Sequence, residues 1–442
     1  MNVPKQYHIG GEGSNEIAAS IERGVQEGRL PPGTRLPTVR ALARTLRKSH
    51  GTVAAAYKSL AIRGVVVADG RRGTVVRPAP PLARALETPR VPPELRNLSD
   101  GNPDPARLPR FSQALRAVPR EPIVYGNDPH DPELLEAMAR SFKADGVGWS
   151  ALAVVGGALD GIERALGAQL RAGDRVAVED PIYPAHLDLL AATGLVAEPV
   201  PVDSRGMLPD ALERALRRGA KAAIVSPRAH NPTGAAFDER RARELRAVLE
   251  RAAELFVIED DHAWLVAGVP YRTLTAGRER WFAVRSFSKA FGPDLRIAVA
   301  GGDPLTIARL RGRQRVGVGW VSHVLQFVAK TLFADARVLA GIEETRDLYG
   351  RRRETFVSAL RAEGVTIEVP SGLNSWIPVP SEARAIERLR ATGYAVAPGE
   401  RFRIRTAPAI RVTVARLETG DAREVARAVA AASLRPTSVR TG

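Results

Sequence analysis

Lys289 lies in the run Ser286-Phe287-Ser288-Lys289-Ala290-Phe291-Gly292-Pro293-Asp294-Leu295-Arg296, a single amine set between two hydroxyls and a guanidinium. The apolar Trp281-Phe282-Ala283-Val284 just before it reads as a strand that carries the run to a strand end. An amine so placed can condense with an aldehyde to a Schiff base, while the hydroxyls and the guanidinium hold a phosphate dianion. Pyridoxal phosphate carries both groups. Taken alone, Ser-x-Ser-Lys is more often a surface loop. The rest of the chain decides.

Two other stretches bear on the same chemistry. His230-Asn231-Pro232-Thr233-Gly234 follows the strand-like Ala222-Ala223-Ile224-Val225, and an asparagine amide held by a proline turn can donate to the cofactor's phenolate oxygen. Asp260 follows Leu255-Phe256-Val257-Ile258, where a carboxylate can pair with the pyridinium nitrogen, keep it protonated and make the ring an electron sink. Individually these are ordinary turn or cap residues. From about residue 98, apolar runs such as 175–180, 222–227 and 255–261 alternate with helical stretches such as 238–253. That alternation predicts a buried, mostly parallel sheet with functional groups at the carboxyl ends of its strands.

A chain of 442 residues is long enough for two or three domains. It has no cysteine, which excludes disulfides, thiolate metal sites and a cysteine nucleophile, and no metal site is expected. No apolar run reaches the ~20 residues that span a bilayer, so the expectation is a cytoplasmic protein. Net charge is +16, and residues 1–80 hold 13 Lys or Arg against 5 Asp or Glu, half the excess in under a fifth of the chain. That asymmetry predicts a polyanionic partner for the N-terminal segment, although an arginine-rich coding bias accounts for part of the remainder.

The N-terminal segment reads as three short helices and a hairpin. Ile17, Ile21 and Val25 mark the apolar face of a first helix ending near Gly28. Thr38 caps a second that turns Leu42 and Leu46 inward, and Ser49 caps a third carrying Val53, Tyr57 and Leu60, with Gly64 as its stop. Val65-Val66-Val67 and Thr74-Val75-Val76 then flank a turn displaying Arg71 and Arg72. This is a winged helix-turn-helix over residues 1–77. Ser49, His50 and Thr52 would face bases or phosphates of double-stranded DNA, and Arg35, Arg40, Arg71 and Arg72 the backbone. Residues 78–97 open with six prolines in sixteen residues and read as a semi-rigid linker.

The stretch Leu30-Pro31-Pro32-Gly33-Thr34-Arg35-Leu36-Pro37-Thr38-Val39-Arg40-Ala41-Leu42-Ala43, continued through Thr52-Val53 and Tyr57-Lys58-Ser59-Leu60, resembles the signature of GntR-type bacterial regulators. Relatives carry arginine where this chain has His50, so bidentate reading of guanine is lost there. Asn231, Asp260, Ser286, Ser288, Lys289 and Arg296, in that order, resemble the motif series of fold type I aminotransferases. That resemblance implies a large domain over 98–330 and a smaller C-terminal α+β subdomain over 331–442. It implies Lys289 as the Schiff-base lysine, Asp260 on the pyridine nitrogen and Asn231 on O3′. Ser286, Ser288 and Arg296 would hold the phosphate with the Gly157-Ala158 loop, and Tyr183 would stack on the ring. Tyr125 would reach a neighbouring subunit's phosphate, and Arg411 would clamp a substrate or effector carboxylate. His262 stands near the family's usual tyrosine, His130 at a usual glycine, and Ala158-Leu159 offer the phosphate few polar side chains.

Joined, the two parts resemble the MocR subfamily of transcription regulators. The implied protein is an α/β homodimer that binds an operator and senses an amine or amino acid when that amine displaces Lys289 from the cofactor. A working aminotransferase is the alternative, and a vestigial domain serving only dimerisation is a third.

Overall fold

The computed structural model describes residue 3 and residues 7–62, 65–69, 73–77, 91–119, 121–148 and 151–433. The chain divides into two compact units, one built on the N-terminal residues as far as Glu87 and the other on most of the remainder.

In the first unit, helices α1 (Ser14–Gln26), α2 (Val39–Leu46) and α3 (His50–Ile62) precede an antiparallel hairpin of β1 (Val66–Asp69) and β2 (Gly73–Val76). Ile17, Ile21, Leu42, Val53, Tyr57 and Leu60 close a small core with Val66 and Val76 of the hairpin, while Val25 and Leu46 pack at its edge. The caps are those the sequence predicts. Thr38 Oγ1 accepts from the Ala41 amide at 3.2 Å, and Ser49 Oγ accepts from the Thr52 amide at 3.1 Å. Between these helices Arg47 takes the left-handed conformation (φ 54°), which ends α2 within one residue. The extended stretch before α2 also lines up beside the wing: Leu36 N donates to Thr74 O at 2.9 Å and Val76 N to Thr34 O at 2.8 Å. Gly64, Arg71 and Arg72 lie outside the described residues, as do linker residues 78–90.

Arg96 and Asn97, assigned by sequence to the end of the linker, form β3 (Arg96–Asn97), which pairs in parallel with Tyr394–Ala395. Their backbone groups are drawn out of the linker by that ladder, and Leu98 is buried in the core of the smaller subdomain.

The main sheet contains β4 (Ala151–Val155), β5 (Arg175–Asp180), β6 (Val196–Asp203), β7 (Gly206–Met207), β8 (Ala220–Val225), β9 (Phe256–Asp261), β10 (Trp281–Ser286) and β11 (Ala298–Gly302). Their order is β4-β11-β10-β9-β8-β5-β6-β7. Strands β5, β8, β9 and β10 run parallel, and β11 lies antiparallel to both its neighbours. Every residue of β9 and β10 is buried, the burial on both faces that makes such strands near-continuously apolar. The parallel run brings Asp180, Val225, Asp261 and Ser286 to one edge of the sheet.

A buried ionic lattice fixes that edge. Arg228 engages Asp261 bidentately at 2.9 and 2.8 Å, Arg285 donates to Asp261 at 3.2 Å, and both guanidiniums lie over the Tyr271 ring. Removing one partner of such a buried set costs about 3–5 kcal/mol, because an uncompensated charge stays behind.

In the smaller subdomain, β12 (Asn374–Pro378), β14 (Ala397–Pro398) and β15 (Ala409–Thr413) form a sheet of order β12-β15-β14, and β13 (Tyr394–Ala395) is the partner of β3. The expected boundary at 330 falls inside helix His323–Ala334. Along the 27-residue helix Ala336–Ala362, Ile342 and Tyr349 belong to the large core and Phe356 and Leu360 to the small one, so the two cores share it. Among the described residues no helix is long and apolar enough to cross a membrane.

Candidate cofactor pocket and DNA-binding surface

One cavity opens at the carboxyl edge of the main sheet, lined by Tyr183, His186, Asn231, Asp260, His262, Ser286, Ser288, Lys289 and Arg296, with Asp100–Asn102 and Arg411 opposite. Lys289 Nζ donates to the Gly101 carbonyl at 2.7 Å. Burial, then the Arg411 charge, lowers its ammonium to about 8, against an opposing pull from Asp100. An amine that loses its proton near neutrality is a competent nucleophile. Asp260 is buried; its Oδ2 lies 3.3 Å from His186 Nε2, and its Oδ1 has no partner. A buried carboxylate oxygen without a donor is costly unless a ligand supplies one.

The Asn231 side-chain oxygen accepts from Arg411 Nη1 at 3.1 Å and from Asn374 Nδ2 at 3.5 Å. Its amide N–H groups are thereby left for a ligand acceptor. Arg411 is 5% exposed, lies 4.7 Å over the Phe402 ring and also donates to the Ser99 carbonyl. Burial lowers its guanidinium to about 10. Tyr183 is at the rim, edge-on to His186 at 5.8 Å between centroids.

Of the residues expected to hold phosphate, the Ser286 and Ser288 hydroxyls are 2.9 Å apart, and Arg296 Nη2 donates to the Gly156 carbonyl at 3.3 Å. Gly157, with φ 113°, caps helix Ala158–Gln169, whose free N–H groups favour an anion. A Cβ on Gly157 would stand 2.8 Å from Arg296 Nη2, so only glycine lets the guanidinium close over the helix start.

The residues present therefore fit pyridoxal phosphate: a low-pKa lysine, an orphaned carboxylate oxygen, an oriented amide and an anion cradle surround one cavity. His262 joins them; burial pushes its imidazole below the usual histidine range, with Lys289 adding to the effect against Asp260. Tyr125 does not line this cavity. It is 88% exposed, its ring edge-on to Trp320 at 5.4 Å. His130 is buried away from the cavity lining, where its Nδ1 accepts from Val154 N at 3.3 Å.

Sequence reasoning missed His186 and Gly101. His186 follows Tyr183 by one helical turn, a spacing that was visible, but its partner Asp260 lies 74 positions away and nothing local connects them. Gly101 has φ 69°, and a Cβ there would come within 3.0 Å of Arg411.

On the first unit, Arg35, Arg40, Ser49 and His50 are exposed, and Thr52 is half-buried with its hydroxyl 2.9 Å from that of Ser49. His50 is the first residue of α3, where the helix N-terminus favours phosphate. Arg44 and Arg47, also exposed and close in sequence, extend the same basic stretch.

Comparison with known proteins agrees with both halves. Residues 93–429 match the family described as aminotransferase class I and II, and residues 14–76 match bacterial regulatory proteins of the gntR family. The vitamin B6 salvage pathway transcriptional repressor PtsJ of Salmonella typhimurium is 40% identical over 93% of this chain and 96% of its own. The HTH-type pyridoxine biosynthesis transcriptional regulator PdxR of Corynebacterium glutamicum is 29% identical over 76% of each chain. Among solved structures, a multiple substrate aminotransferase from Thermococcus profundus superposes with a TM-score of 0.70 at 22% identity, over 80% of this chain and 93% of that one. A kynurenine aminotransferase from Pyrococcus horikoshii gives 0.69 at 23% identity, over 79% and 96%. With a gntR-type winged helix ahead of an aminotransferase fold type I domain, the chain belongs to the MocR-type transcriptional regulators, whose cofactor is pyridoxal phosphate.

Proposed function

We propose that this regulator holds pyridoxal phosphate on Lys289 and changes its grip on an operator according to what occupies that pocket. The observation that carries the reading is the pairing, across one cavity, of a lysine with a lowered pKa and an orphaned Asp260 oxygen. Asp260 receives the pyridine nitrogen, Asn231 the phenolate oxygen, and Ser286, Ser288, Arg296 and the Gly157-Ala158 helix start receive the phosphate. Tyr183 stacks at the rim, and His262 lines the cavity together with Asp260 and Lys289. When bound, the cofactor supplies an aldehyde for amines and a ring that delocalises charge.

Two relatives are named for vitamin B6 salvage and pyridoxine biosynthesis, which makes the cofactor itself the leading effector. An amine or amino acid that displaces Lys289, with Arg411 on its carboxylate, is the second ligand of the same site. The operator is read by α3, through Ser49, His50 and Thr52, with Arg35, Arg40, Arg71 and Arg72 on the phosphates. The protein works in the cytoplasm as a homodimer, with Tyr125 reaching the other subunit's cofactor phosphate. Any effector acts by binding two dimer arrangements unequally.

The test is spectroscopic and functional together. Pyridoxal phosphate gives the purified protein a visible absorbance and changes its mobility-shift affinity for the operator; Lys289→Ala abolishes both the covalent absorbance and the change in affinity. An unchanged spectrum in Lys289→Ala removes the reading. A turnover function is favoured by one observation, the buried Arg411 held by Asn231 at the pocket. Single-turnover conversion of the cofactor to its amine form by a panel of amino acids would establish it.

A further inference from the structure

Behind Asp260 lies a second buried carboxyl to which the proposed function gives no task. Glu179, near the end of β5, is 1% exposed. Its Oε2 accepts from the Ser226 amide at 2.9 Å and lies 3.3 Å from His230 Nε2 without a hydrogen bond between them, and its Oε1 has no partner. His230 is equally buried and is held at Nδ1 by the Thr233 hydroxyl at 2.7 Å, which also accepts from the Ala235 amide at 3.1 Å.

Burial favours the neutral form of both groups. It raises the Glu179 carboxyl to about 8, with Asp260 acting in the same direction against the Ser226 hydrogen bonds. It lowers the His230 imidazole to about 3, with His262 and His186 adding to the effect against a hydrogen bond to the Pro181 carbonyl. The titratable groups facing the pair are therefore Asp260 and His262 from β9 and the loop after it, and His186 from the start of helix Pro184–Ala192. Lys289 lies across the cavity, where it acts on His262.

We propose that Glu179 registers occupancy of the pyridine-nitrogen position: its carboxyl stays protonated while no cation faces Asp260, and a pyridinium docked on Asp260 drives that proton out. The inference rests on the reading of the pocket as a pyridoxal phosphate site. A nearby positive charge favours the ionised carboxyl, offsetting both burial and the repulsion of Asp260. The proton goes to solvent.

The experiment removes the lysine proton from the count by working in Lys289→Ala, with pyridoxal phosphate bound non-covalently. Calorimetric titrations from pH 6.5 to 9, in buffers of different ionisation enthalpy, compare Lys289→Ala with the same protein carrying Glu179→Gln. A carboxyl whose pKa falls on binding makes affinity rise with pH below about 8 and level off above it. Lys289→Ala should release a fraction of a proton approaching one near pH 7.5, with affinity rising severalfold per unit, and Glu179→Gln should lose that part of the release. Equal proton release in the two proteins overturns the inference, whereas no binding by either, or by the unmutated chain, overturns the pocket reading beneath it. Infrared difference spectra of Lys289→Ala give a check that needs no change at Glu179. The band of a protonated carboxyl should vanish when the cofactor binds, and its persistence also overturns the proposal.

Discussion

At the scale of single residues, the pocket depends on side chains that hold one another as much as on those that would touch a ligand. Arg411 is oriented by Asn231 on one side and by the Ser99 carbonyl on the other, and Gly101 leaves just enough room for its guanidinium. Alanine at 101 would be strained twice, by a φ of 69° and by a Cβ 3.0 Å from Arg411 Nη1. Left-handed strain in a non-glycine residue costs about 1–3 kcal/mol. The structure can relieve the contact only by moving the guanidinium. Gly101→Ala should leave the capture of pyridoxal phosphate on Lys289 intact while weakening the response to amino acids about tenfold or more. The measurement is an amino-acid titration of the cofactor absorbance. Equal weakening for an amine without a carboxylate would show that Arg411 was not the group displaced.

At the scale of elements, the local signals in the sequence were reliable and the long-range ones were silent. The Thr38 and Ser49 caps, the stripe Val53, Tyr57 and Leu60, and the strands ending at Val225, Asp261 and Ser286 are all written in neighbouring residues. Hence the fold and the order of the site residues were legible. The pairing of β3 with β13 joins residues almost 300 positions apart, and no periodicity announces a two-residue strand after a proline-rich run. Glu179 and His186 escaped for the same reason, since their meaning comes from Asp260 and His230 across parallel strands. The start of α3 gives a test at this scale. Ser49→Ala removes the acceptor for the Thr52 amide and should cost about 1 kcal/mol of stability in the first unit. It should also loosen His50 and Thr52, so operator affinity should fall by more than stability alone explains. Thermal melting and mobility shift, measured on the same preparation, separate the two effects; a melting change with no loss of affinity would remove Ser49 and its neighbours from the DNA-reading surface.

At the scale of the whole molecule, the proposed dimer links the apolar surface of the second unit to the DNA affinity of the first. Ile123, Val124 and Tyr125 are 50%, 62% and 88% exposed, and Val316 and Val318 are 89% and 69% exposed beside Trp320, which touches Tyr125. So many large apolar side chains left in water on two adjoining stretches are what the proposed dimer would cover. Two winged helices on one dimer bind paired half-sites with the second contact made intramolecular, which raises affinity far above that of one. Each phosphate neutralised also adds to the salt dependence, by a slope of about 0.9 per contact. Val124→Asp should therefore do three things at once. It should convert the protein to monomers in light scattering, because a carboxylate at the centre of an apolar contact is left without a partner. It should leave the melting temperature of the monomer unit nearly unchanged, because Val124 packs little within its own chain. It should reduce both the affinity for a paired operator and the slope of that affinity against salt, the slope by about half. Retention of the full slope by a monomer would mean that one winged helix makes all the phosphate contacts, and the linkage between the dimer surface and DNA affinity would then be lost.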